Sequence, residues 1–114
     1  LLISPFSFAD WGDVYYCQMT HASSLTMNGE STARPLDKFV FRLDQEKSAM
    51  VFSGSGYFFD TEYKLREGHI FLSQESWYAD GQWQSLAYDK GKMLFSAVGY
   101  PAGINTISAD CEKL

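Results

Sequence analysis

The chain has 114 residues and a mass of 12.9 kDa, which leaves room for one domain whose core removes about two-thirds of the extended chain's surface from water. Hydrophobic residues at 46% and charged residues at 20% are ordinary globular usage and exclude intrinsic disorder, whereas aromatic residues at 17% are enriched. Fourteen acidic against nine basic residues give a net charge of -5 with no Lys/Arg cluster, so the chain lacks the means to displace counterions from a phosphate backbone, and no nucleic-acid partner is expected.

At the N-terminus, Leu1-Leu2-Ile3 is apolar, and Ser7 and Ala9 meet an A-x-A-like cleavage rule just before Asp10. Residues 1–9 therefore read as the remnant of a secretory signal peptide or as an N-terminal extension that packs Phe6 and Phe8. Residues 10–114 read as a single β domain. No later run reaches the roughly 18 apolar residues of a spanning helix, so the domain is expected to be soluble and not transmembrane. Asn28 and Asn105 both lack the N-x-Ser/Thr arrangement, and N-glycosylation is not expected.

From there on, period-two alternation dominates and turn signals punctuate the chain, as in an antiparallel meander. The pairs Asn28-Gly29, Glu67-Gly68, Asp80-Gly81 and Lys90-Gly91 place a glycine where a tight turn needs positive φ. Gln45-Glu46-Lys47 and Pro101-Ala102-Gly103 supply further connections, and Gly54-Ser55-Gly56 is either another turn or a glycine kink in a bent strand. Between them the pattern predicts eight strands near 13–27, 30–44, 48–53, 57–66, 69–78, 82–89, 92–100 and 104–111.

Within this register Phe39, Phe41 and Leu43 share one face, and Met50 and Phe52 continue it. Pro35 lacks a ladder donor and should split the long second strand. The segment from Asp60 to Gly68 has the caps of a short helix, but Tyr63 and Leu65 alternate with Lys64 and Arg66, which favours a strand. Met50-Val51-Phe52 and Met93-Leu94-Phe95 echo one another as two similar hairpins, each with apolar groups on both faces of its strand.

An antiparallel meander of about eight strands removes its edges by bringing the last strand beside the first, which predicts a small closed or nearly closed barrel; a two-sheet β-sandwich is the alternative. Cys17 and Cys111, the only cysteines, fit that closure. Cys17 shares its face with Tyr15 and Met19, and Cys111 with Ile107 and Ala109. A disulfide tying the ends of a domain this small implies an oxidising compartment, so the protein is expected to be secreted or to reside in a bacterial periplasm. In strand number, size and tied ends the expected architecture resembles lipocalin and avidin-type barrels. The likeness is one of architecture only, because the lipocalin G-x-W motif is absent and Asp10-Trp11-Gly12 carries those residues in another order.

The residues offer little chemistry. Two histidines, His21 and His69, with both cysteines committed, do not make a metal site. No G-x-S-x-G elbow singles out a serine, and Gly54-Ser55-Gly56 is too short for a phosphate loop. Asp60 and Glu62 would share a strand face as paired carboxylates, but that spacing alone defines no catalytic pair. No catalytic residue, metal or cofactor is therefore expected, and the protein is read as a non-enzyme.

The aromatic residues of the middle hairpins carry the functional expectation: a small apolar or aromatic molecule held in the barrel mouth by Tyr57, Phe59, Trp77, Trp83 and Tyr88, with His21 as an inward polar group. Trp77 and Trp83, flanking the Asp80-Gly81 turn, would pair across the hairpin. The alternative is a protein-interaction module, such as an envelope or surface component or an inhibitor, with a solid aromatic core.

Overall fold

The computed structural model describes residues 8–99 and 103–114. The cleavage region before Phe8 and the turn residues Pro101 and Ala102 lie outside the described residues. The described residues form nine strands: β1 Val14–Leu25, β2 Ser31–Ala33, β3 Lys38–Asp44, β4 Ala49–Gly56, β5 Glu62–Phe71, β6 Ser76–Asp80, β7 Gln84–Asp89, β8 Lys92–Gly99 and β9 Gly103–Lys113. One 3-10 turn, Leu72–Gln74, joins β5 to β6. Every pairing is antiparallel, and β1 pairs with β9 as well as with β3, which closes eight strands into a barrel with β2 as the extra one. The barrel is thus observed, and the sandwich is not.

Closure rests on the longest ladder, where β1 and β9 pair from Tyr15↔Lys113 to Leu25↔Ile104. Cys17 and Cys111 stand directly opposite each other in it, 4.0 Å between Cα atoms, and are joined by a disulfide. β2 and β3 are one return strand interrupted around Pro35, as the missing donor of proline requires. At the β7–β8 turn, Lys90 and Gly91 both have positive φ (48° and 87°), the backbone of a tight primed hairpin.

Two expected boundaries are corrected. Glu67-Gly68 is not a hairpin turn: β5 runs through it to Phe71, and positive φ at Gly68 (83°) lets a bulge form between Leu65↔Ala79 and Ile70↔Trp77. The strand expected to begin at Tyr57 begins at Glu62, because Tyr57 to Asp60 form the β4–β5 turn. Gly54-Ser55-Gly56 is the kink of its two readings. The β3–β4 register slips between Phe39↔Gly56 and Phe41↔Phe52, and Gly56 (φ 94°) leaves no space for a Cβ against the Lys38 carbonyl.

The interior is filled. At the end where β1 begins and β9 finishes, Tyr15 stacks on Phe41 at 5.0 Å, Trp77 lies flat on Tyr88 at 4.2 Å, and the Trp77 indole N–H donates to Met50 Sδ at 3.4 Å. Towards the other end, Phe39, Phe52, Tyr63 and Phe95 gather round Phe58, which the β4–β5 turn inserts as a plug, edge-on to Phe39 and to Phe95 at 4.8 Å each. Among the described residues no polar or charged residue is buried. These rings occupy the space that a lipocalin-like barrel would leave to a ligand.

Candidate functional site

Above the Phe58 plug the strands continue past the barrel. Leu86, Phe95 and Ile107 face the core, so the next residues of the same parity, Gln84, Ala97 and Asn105, face inward at the mouth, with Ser24 beside them on β1. Gln84, Ala97 and Asn105 floor an open recess of about 710 Å³ whose walls include Trp83 from the β6–β7 connection, Met27 from the β1–β2 turn, and Val98 and Gly99 at the end of β8. Trp83 is 64% exposed. Gln84 Oε1 accepts the Trp83 backbone N–H at 3.1 Å, and Asn105 Oδ1 accepts the Ser24 hydroxyl at 2.6 Å. With both carboxamide oxygens engaged, the two NH₂ groups are the donors left for an occupant.

Local sequence explains this arrangement. Gly81 is required where β6 turns, because a Cβ there would strike the Gln84 carboxamide and the Tyr63 ring, and its N–H donates to the Gln84 carbonyl at 3.0 Å. That close turn brings Trp83 to the rim ahead of β7. Gly103 likewise lets β9 begin against the Leu25 carbonyl, where any side chain would collide.

Of the residues expected to contact a ligand, only Trp83 lines this recess. Trp77 and Tyr88 are core residues, and Trp77 pairs across its hairpin with Tyr88 rather than with Trp83, because Trp83 precedes β7 and has no place in that ladder. Tyr57 and Phe59 are exposed in the β4–β5 turn on either side of the buried Phe58. His21 does not face inward. Thr20 and His21 together oppose Ser108, and this bulge shifts the parity of β1 so that Ala22 faces the core and His21 the outside. Gln84, Asn105 and Met27 were missed, because polar residues in a strand and a turn methionine carry no signal until the mouth is located.

The outer surface divides by charge. Over β3 to β6 it carries the ion pairs Arg42–Asp44 (2.8 Å), Lys47–Glu62 (2.7 Å) and Arg66–Asp80 (2.6 Å). Glu62 is thereby occupied and Asp60 sits in the preceding turn, so the two do not form a carboxylate pair on one strand face. His69 is exposed and stacks on Tyr78. Across β7, β8, β9 and β1 the outward rows are different. Ser85, Ser96, Thr106 and Ser23 oppose one another in one row, Ala87, Leu94, Ser108 and His21 in the next, and Val98, Ile104 and Leu25 in a third. None of these side chains is Asp, Glu, Lys or Arg. The uncharged rows end at the Lys92–Asp110 ion pair (2.6 Å), and a hollow of about 410 Å³ lies beside Leu94.

Three tyrosine hydroxyls titrate high. Burial raises Tyr63 to about 12, and burial together with neighbouring Glu75 raises Tyr15 and Tyr88 further. All three belong to the core and none lines the recess. Among the described residues no group of His, Cys, Asp and Glu is placed to hold a metal ion, and no helix is long and apolar enough to cross a membrane. No protein-family model, no curated protein and no solved structure matches the chain. Architecture and surface therefore define its class: a disulfide-closed, aromatic-filled antiparallel β-barrel with an open recess at one end.

Proposed function

We propose that the protein is an exported, non-enzymatic binding protein that takes a small apolar or aromatic molecule bearing a hydrogen-bond acceptor in the recess at the barrel mouth. The observation that carries this reading is the recess of about 710 Å³ walled by Trp83 and Met27 above the plugged core, a size within the range of small-molecule sites. The indole offers a large, stiff apolar contact at small entropic cost, and the carboxamides of Gln84 and Asn105 supply directional donors. The filled barrel serves as a rigid support. Export rests on the Cys17–Cys111 disulfide, which persists only outside a reducing compartment.

Titration of tryptophan emission with fatty acids, retinoids, tetrapyrroles and aromatic amines tests the reading. A saturable change with at least one class is expected in the native protein, and its loss in Trp83→Ala with an unchanged melting temperature. A native protein whose emission ignores the whole panel, or a response that survives in Trp83→Ala, counts against the recess.

A further inference from the structure

The uncharged outer face of β7, β8, β9 and β1 stands apart in a chain of net charge -5. Elsewhere charges line the strands in exposed pairs. Here the side chains are short hydroxyls and alanine, interrupted by Leu94, Val98, Ile104 and Leu25, which are 62%, 58%, 38% and 42% exposed. A soluble β surface that omits charge over several rows and keeps large aliphatic groups in water is one that expects to be covered.

We infer that a second copy of this chain covers it, in a reversible face-to-face dimer about a two-fold axis. Two properties select that occupant. The first is charge: two acidic copies repel, and among the described residues these rows let them meet with no formal charge placed against another. The second is shape. The same face supplies a projecting side chain, Leu94, and beside it a hollow of about 410 Å³ walled by small residues such as Ser85, Ala87, Thr106 and Ser108. A two-fold axis seats the Leu94 of each copy in the hollow of the other, which is the self-complementarity that an isologous contact requires.

Size sets the strength. With strands about 4.8 Å apart and like-facing residues about 6.8 Å apart along a strand, four strands and three rows cover roughly 400 Å² on each copy. The total of roughly 800 Å² falls short of the 1,200 Å² or more of a stable complex, so the dimer forms and dissociates with concentration. The third row borders the mouth recess at Val98, which lines that recess, whereas the hollow beside Leu94 shares no lining residue with it, so the Leu94 contact holds whether or not the recess binds a ligand.

Sedimentation velocity of the oxidised protein from about 1 μM to about 1 mM spans the affinities such an area allows. The weight-average mass is expected to rise from 12.9 kDa towards twice that value. Leu94→Arg and Ile104→Glu, neither of which lines the mouth recess, should each remain monomeric throughout, with the circular dichroism spectrum and melting temperature of the native chain. A native protein that stays monomeric at the highest concentration overturns the inference. So do variants that keep their fold and still dimerise, and a monomer that uses Leu94 to bind a different protein.

Discussion

Trp77 and Tyr88 face each other across the β6–β7 hairpin with ring centroids 4.2 Å apart and planes within 5° of parallel. Tyr15 meets both rings edge-on, at 6.0 and 5.5 Å. This end of the barrel interior is therefore held by interlocking rings in which each one fixes the position of the next. Trp77→Ala should leave a void that rigid neighbours cannot fill and lower stability by about 3–5 kcal/mol, measured by urea unfolding. A loss below about 1 kcal/mol would mean that the interior is not packed in this way.

Cys17 and Cys111 are 94 residues apart in sequence and adjacent in space. In the chain-entropy account a loop of that length makes the crosslink worth about 4–5 kcal/mol. Reduction, or a double Cys→Ser replacement, is expected to lower the melting temperature by about 15 °C or more. A melt that ignores the reductant would show that the β1–β9 ladder closes the barrel unaided.

High pH should unfold the protein through its tyrosines. A hydroxyl whose folded pKa is raised, as for Tyr63 from 10.0 to about 12, favours the native state as long as it stays protonated. That contribution is complete below the unfolded value near 10 and is lost as pH climbs towards 12. Tyr15 and Tyr88 act in the same direction. Near-ultraviolet circular dichroism is expected to hold steady up to about pH 10 and to collapse above it. Tyr63→Phe should retain more of the signal at pH 11 than the native chain, provided the three hydroxyls are what titrates.

Gly56 combines a positive φ of 94° with a carbonyl oxygen 2.6 Å from where a Cβ would lie. Gly56→Ala should therefore cost about 1–3 kcal/mol, whereas Gly29→Ala, with an equally positive φ but open space around it, should cost about 1 kcal/mol. Equal losses in the two variants would show that backbone strain alone, and not the close approach of β3, governs the β4 kink.

Much of the architecture was legible because it follows from short-range rules. Phe39, Phe41 and Leu43 alternate with Lys38, Val40 and Arg42, and all three are buried on one face. Lys90-Gly91 announced a hairpin, and Pro35 announced a break in the return strand. The errors have one physical origin. A bulge changes parity without leaving a mark in composition, so Thr20 reverses the direction of His21, and Glu67-Gly68 carries the signature of a turn although Gly68 only bends β5. The candidate site suffered most. Trp77, Trp83, Tyr88, Tyr57 and Phe59 look equivalent as aromatic residues of neighbouring hairpins, yet two of them are core and only Trp83 reaches the recess.

The pattern of residues by itself determined the class of fold, the order of the strands along the chain and the partnership of Cys17 with Cys111, because alternation, turn glycines and a lone cysteine pair act locally or admit one solution. Tertiary structure alone decided which rings fill the barrel, how the mouth assembles around Gln84 and Asn105, and that one outer face carries no charge. Those properties arise from register between strands distant in sequence, where a shift of one residue exchanges inside for outside.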